Sequence, residues 1–192
     1  QAEDGIRDVE RSRGLGDVYK RQAQKTEIDS LVGEINGKFT RAGWIPIHYY
    51  YRNLDREDLI AHYRVADMAL VTPLCDGMNL VAKEYCACNI SEDGVLLLSE
   101  FAGAAAQLQR GALLVNPYDV EGVANTIFRA FHMDLDERRS RMHRMRILIR
   151  KYDIFRWVDS FLQAAFAKHL EDFPPHQLIY HTGCHEVPFI QH

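Results

Sequence analysis

The sequence predicts a doubly wound α/β domain on a mainly parallel sheet, the Rossmann-like arrangement. Three observations predict it. Asp67–Thr72 (DMALVT), Gly94–Ser99 (GVLLLS) and Ala112–Val115 are short continuous apolar runs, as expected of strands covered on both faces. Stretches with helical periodicity lie between and after them. Strands that alternate with helices form parallel sheets flanked by helices on both sides. A chain of 192 residues buries on the order of 70% of its unfolded surface, so it needs no disulfide or metal staple.

Each element has its own local reason. Thr26–Phe39 places Ile28, Leu31, Val32, Ile35 and Phe39 on one helical face. Ile45–Tyr51 reads as a short strand after the breaker pair Gly43-Trp44. Asp55 is a suitable N-cap for a helix over Arg56–Val65, which carries Leu59, Ile60 and Tyr63. The strand Asp67–Thr72 leads through a loop, Pro73–Asn79, into a helix over Leu80–Cys88. Gly94–Ser99 is a strand, Gly103–Leu108 a short helix, Ala112–Val115 a strand and Val120–His132 a helix. Two further helices are expected over Asp136–Lys151 and Ile154–His169. Residues 1–22 are polar and aperiodic, and are expected to be a non-native or disordered arm. The domain proper is expected over residues 23–170. The stretch 171–192, with three prolines and four histidines, is expected to be an irregular tail. Its His181-x2-Cys184-His185 cluster has metal-ligand residue types, but a loosely docked tail is the favoured reading.

Composition narrows the partners. A net charge of −4 argues against nucleic acid as the main ligand, which requires a basic excess. Nothing approaches 18 consecutive apolar residues, so no membrane span or membrane partner is expected. Cys75, Cys86, Cys88 and Cys184 lack CxxC spacing, and a reduced, cytoplasmic protein is the simplest expectation.

Ligands of open parallel sheets bind beyond the carboxyl ends of the strands, where loops turn into helix N-termini. The stretch after DMALVT is TPLCDGMNLVAKEY, Thr72–Tyr85. Gly77 lets the backbone approach a ligand closely or adopt a positive φ. Gly77, Met78, Asn79, Leu80 and Val81 present successive amides at a helix start, where unpaired donors and the helix dipole favour an anion such as a diphosphate. Asp76 lies before the helix and Glu84 about one turn inside it. Two carboxylates with phosphate donors between them suit a sugar nucleotide. Acid-x7-acid spacing alone is weak: Asp76 also fits a helix cap, and Glu84 a solvated carboxylate.

The motif VTPLCDGMNLVAKEY resembles the signature of the trehalose-6-phosphate synthase family, retaining glycosyltransferases of the GT-B fold. INGKF and GWIPIHYYYRNLDREDLIAHYRVAD before it, and GVLLLSEFAGAAAQL and ALLVNPYDVEGVANTI after it, are similar to flanking family segments in the same order. The resemblance runs from Ala23 to Phe166. It implies the C-terminal, donor-binding domain of such an enzyme. Asp76 would position the donor glucose, the amides of Gly77, Met78, Asn79, Leu80 and Val81 would meet glucose and diphosphate, and Glu84 would hold the ribose. It further implies a nucleoside diphosphate-glucose donor, with UDP-glucose expected, and glucose 6-phosphate as acceptor, held by the family's N-terminal domain. No cofactor and no metal are implied. The basic residues that clamp the diphosphate in the family precede this segment, so the chain alone is expected to be inactive. A glucosylglycerol-phosphate synthase-like transferase and a non-catalytic regulatory module of the same descent stay open as alternatives. Cys75 stands where the family commonly has arginine, which implies altered loop packing. Gly103 in SEFAGAA (Ser99–Ala105) lets a helix start close to the sheet, either to shape the cleft or simply to pack. His48, His62 and His132 are given no ligand or catalytic role.

Overall fold

The computed structural model describes residues 22–166. The expected tail with its His181, Cys184 and His185 cluster lies outside the described residues, as does all but the last residue of the expected arm. The chain forms two compact units, Gln1–Asn53 and Leu54–His192.

In the first unit, helix α1 covers residues 22–39. A tight turn follows, in which Arg41 and Trp44 exchange backbone hydrogen bonds of 3.0 and 2.9 Å. Gly43 takes φ 78° there, in the left-handed region that glycine enters without steric cost. The expected strand Ile45–Tyr51 does not form. Among the described residues no strand pairs with this stretch, and Ile47 instead bonds a side chain. Asn36 donates through Nδ2 to the Ile47 carbonyl and accepts the Ile47 amide on Oδ1, both at 3.0 Å. One amide side chain thereby replaces one residue of a neighbouring strand.

The second unit contains α2 (Arg56–Val65), β1 (Met68–Val71), α3 (Leu80–Cys88), β2 (Val95–Ser99), α4 (Gly103–Leu108), β3 (Leu113–Val115), α5 (Val120–Phe131), α6 (Leu135–Lys151) and α7 (Ile154–Phe166). The strands run parallel in the order β1-β2-β3. Met68 pairs with Val95 and Leu70 with Leu97, while Leu97 pairs with Leu113 and Ser99 with Val115. Aspartates start four of the helices. Asp55 accepts the Asp58 amide, Asp119 the Gly122 amide, Asp134 those of Asp136 and Glu137, and Asp153 that of Arg156. Each satisfies donors that the helix cannot.

The central strand β2 is buried along its whole length. Leu96 and Leu98 point to one face and pack with Ala82, Tyr85 and Cys86 of α3, Leu108 of α4, and Met142 and Met145 of α6. Val95 and Leu97 point to the other and pack with Leu113, Ala130 and Met133. Helices therefore cover both faces, as the apolar run GVLLLS requires. Each fully buried leucine contributes about 1.5–3 kcal/mol of hydrophobic stabilisation.

β1 departs from the expectation of burial on both faces. Leu70 is 48% exposed. Its face is the one served by α5, and α5 packs mainly across β2 and β3. Ala69 and Val71, facing the other way, pack partly into the α3 side of the core.

The C-terminus of α3 is closed by a residue from far along the chain. Arg146 of α6 is buried and donates through one guanidinium nitrogen to the carbonyls of Cys86, Ala87 and Asn89 at 2.9, 2.8 and 2.8 Å. Its Nε donates to Glu92 at 3.1 Å. A cation here meets both the orphan carbonyls and the negative end of the helix dipole.

Candidate functional site

The connections that leave the carboxyl ends of the strands meet at one edge of the sheet. The residue before Gly77 joins the β1–α3 loop to the β2–α4 loop: the Asp76 amide donates to the Phe101 carbonyl at 3.4 Å, and the Gly103 amide donates to the Asp76 carbonyl at 2.8 Å. Buried Ser99 accepts the Phe101 amide on Oγ at 3.1 Å. The Phe101 ring meets Tyr118, from the β3–α5 loop, edge-on at 5.9 Å. Gly103 thus has a role beyond close helix–sheet packing, since its amide fastens the neighbouring loop.

Within the β1–α3 loop the Asp76 carboxylate acts as an internal organiser. Oδ1 accepts the amides of Met78 at 2.9 Å and Asn79 at 2.8 Å, and Oδ2 accepts the Asn79 side chain at 3.1 Å. Hydrogen bonding by the Met78 amide, helped by the Asn79 side chain and amide, holds the Asp76 carboxyl below its ordinary range against the opposing effect of burial. A carboxylate accepts about four hydrogen bonds, so one position on Oδ2 is left for a ligand hydroxyl.

The cap of α3 is Asn79, not Asp76. Asn79 sits at φ 64°, ψ 87° and accepts the Ala82 amide on Oδ1 at 2.9 Å. Asparagine is one of the few residues that tolerate this left-handed conformation. Gly77 does not take the positive φ, and a Cβ built on it meets nothing within 4 Å, so the space beside its backbone is open.

Two of the five expected donor amides, Met78 and Asn79, are therefore turned onto Asp76. Those of Gly77, Leu80 and Val81 make no hydrogen bond among the described residues. They stand at the positive end of α3, where an anion is favoured. Glu84 lies one turn along, and its Oε2 accepts the Tyr63 hydroxyl of α2 at 3.2 Å.

On α3 the buried stripe is Ala82, Tyr85 and Cys86. Residues advance about 100° each, so Lys83 emerges on the flank away from Val81. There it lines a cavity of about 570 Å³ that reaches Gly77 and Met78 and is walled also by Arg110, Arg156 and Trp157. Burial lowers the Lys83 ammonium below its ordinary value. No spacing rule links Tyr63, Arg110 and Arg156 to the Asp76 motif, and Lys83, although inside that motif, has no role that its position along the chain assigns. Among the described residues Cys86 and Cys88 are free thiols. Burial pushes the Cys86 thiol up to about 12, so it packs as a small hydrophobe.

The sequence model of glycosyltransferase family 20 matches residues 9–167. The chain belongs to this family. It is 48% identical over 153 residues to a trehalose-6-phosphate synthase of Mycobacterium avium (strain 104), across 80% of this chain and 30% of that relative. A solved structure described as trehalose-6-phosphate from E. coli bound with UDP-2-fluoro glucose superposes with a TM-score of 0.71 at 46% identity, over 74% of this chain and 32% of that one. An α,α-trehalose-phosphate synthase (UDP-forming) from Burkholderia xenovorans, in complex with glucose-6-phosphate, superposes with a TM-score of 0.71 at 43% identity, over 74% and 32%. The chain spans about 30% of the length of the curated family 20 relatives it matches. Its Rossmann-like fold is the one the sequence predicts. Among the described residues, no helix is long and apolar enough to cross a membrane.

Gly77 offers a direct test of close approach in this family 20 site. Gly77→Ala is expected to leave stability within about 0.5 kcal/mol, as for an open surface position. Anything bound against the adjacent amides should lose at least several-fold in affinity. Thermal unfolding and ligand titration of the same variant check the two halves. Unchanged binding would place the ligand away from Gly77.

Proposed function

We propose that this chain is the donor-binding part of a trehalose-6-phosphate synthase, holding a nucleoside diphosphate-glucose, UDP-glucose by preference. The enzyme transfers the glucose to glucose 6-phosphate with retention of anomeric configuration. One observation carries the reading: the arrangement at the start of α3. The open Oδ2 position of Asp76 takes a hexose hydroxyl. The unpaired amides of Gly77, Leu80 and Val81 take the diphosphate, and Glu84 takes the ribose. The similarity to an E. coli structure bound with UDP-2-fluoro glucose supports the choice of donor. The glucose-6-phosphate complex of the Burkholderia xenovorans relative supports the acceptor, which we assign to the family's other domain. No metal is part of this reading. Charge growing on the leaving diphosphate is met by oriented amides at the helix N-terminus, which need no reorganisation as the bond breaks.

The test is calorimetric titration of the chain with UDP and with UDP-glucose. Losing a hydrogen-bonding carboxylate costs about 1–3 kcal/mol. Glu84→Ala should weaken both ligands by similar factors, since both carry the ribose. If it weakens neither, Glu84 is a solvated helix residue and the donor assignment fails at that position.

A further inference from the structure

We propose that Tyr63 is a positioning residue for Glu84, holding one carboxylate oxygen so that the other faces the paired hydroxyls of a bound ribose. The idea rests on the ribose role proposed above for Glu84. The two residues are 21 positions apart on different helices, and the Tyr63 hydroxyl donates to Glu84 Oε2 at 3.2 Å. Tyr63 is itself well placed to hold another group still. Its ring packs edge-on against Tyr85, centroids 6.4 Å apart and planes at 73°. Tyr85 is fully buried, and its hydroxyl donates to the Ala66 carbonyl at 3.2 Å, which ties α3 to the end of α2. The phenol that touches Glu84 is thus braced by the core.

The chemistry fits a donor to a carboxylate. Burial, with the added effect of the Glu84 charge, pushes the Tyr63 hydroxyl up to about 12, so it keeps its proton throughout the neutral range. A glutamate on a helix surface otherwise samples several rotamers, and a ligand that orders it loses that entropy on binding. A bond made before the ligand arrives removes part of that cost. It also leaves Oε1 with both lone-pair sites open, which suits two adjacent hydroxyls.

The experiment uses the 192-residue chain with UDP and 2′-deoxy-UDP, a pair that differs only in one ribose hydroxyl. The chain should prefer UDP by roughly tenfold, the usual scale for one hydrogen bond to a charged group. Tyr63→Phe keeps the ring and its packing on Tyr85 but removes the hydroxyl. It should weaken UDP several-fold, hardly change 2′-deoxy-UDP and pull the preference towards one. In the double variant with Glu84→Gln, Tyr63→Phe should add almost nothing. If Tyr63→Phe weakens both nucleotides equally, or lowers only the unfolding midpoint, Tyr63 merely packs α2 on α3 and the proposal is overturned while the donor reading stands. If the unaltered chain does not distinguish the nucleotides, does not bind UDP, or keeps its preference in Glu84→Ala, the ribose role of Glu84 fails and the positioning role with it.

Discussion

Replacing Arg146 with alanine is expected to destabilise the second unit by about 3 kcal/mol or more, the scale for several lost hydrogen bonds to a charged group. The substitution removes the donor from three carbonyls at the end of α3 and a partner from Glu92 in one step. Water does not readily replace a guanidinium that is only 8% exposed. The carbonyls are left poorly solvated beside a cavity, and both effects act in the same direction. For a domain of this size the midpoint of thermal unfolding should fall by on the order of 10 °C. Arg146→Lys should recover part of the loss, because an ammonium carries three donors but cannot match the planar guanidinium fork. Urea or thermal unfolding followed by circular dichroism checks both variants. A change below about 1 kcal/mol for the alanine variant would mean that α3 does not depend on this cap. Because α3 starts at Asn79 and carries Glu84, nucleotide binding should fall together with stability.

Asp76→Ala is expected to weaken UDP-glucose by about a hundredfold or more, the combined scale of two lost hydrogen bonds to a charged group. It should also weaken UDP, although less. The sequence alone suggests that UDP would be spared, because only the sugar nucleotide carries a hexose. The structure changes that expectation. The carboxylate also holds the amides of Met78 and Asn79, and so the loop that delivers the amides of Gly77, Leu80 and Val81. Asp76→Asn separates the two roles. An asparagine oxygen can still accept both loop amides, so UDP should bind nearly as well as to the unaltered chain. UDP-glucose should remain clearly weakened, since its hexose contact loses its charge. Titration of both variants with both ligands decides the matter. Equal loss of the two ligands in Asp76→Asn would make Asp76 a loop organiser with no hexose contact.

The pH dependence follows from the direction of the Asp76 shift. Its folded-state value lies below the ordinary 3.8. The carboxylate therefore contributes stability that is fully present above the unfolded value and is lost as pH falls through the folded one. Loop order and ligand binding should be insensitive to this group above about pH 5, where the carboxyl is ionised in both states, and should decline only in more acid solution.

Local chemistry was readable wherever one short stretch decides the outcome. Asp55 announced α2, and the apolar run GVLLLS announced a strand buried on both faces. The bounds of α2, α3 and α4 agree with the sequence reading residue for residue. The elements that went astray needed information from elsewhere in the chain. Ile45–Tyr51 has strand-like composition, but a strand needs a partner, and Asn36 serves Ile47 instead. Leu70 has the character of a buried strand residue, yet its burial depends on how far a helix crosses above it, and α5 packs mainly on β2 and β3.

The candidate site divides along the same line. The motif around Asp76 and Glu84 was visible because its residues are close in sequence and its chemistry follows from a loop meeting a helix start. The sequence by itself determined the parallel α/β architecture, the loop that leads into α3 and the order of carboxylate, amides and carboxylate from that loop into the helix. Only the tertiary structure decided which amides stay open, because that depends on the rotamer of Asp76 and the left-handed turn at Asn79. It alone brought Tyr63 to Glu84, Lys83 to the cavity wall and Arg146 to the end of α3, across separations of 21 residues for the first and about 60 for the last. Periodicity fixes which face of a helix is apolar, but the neighbour met by a polar side chain is set by how whole elements pack.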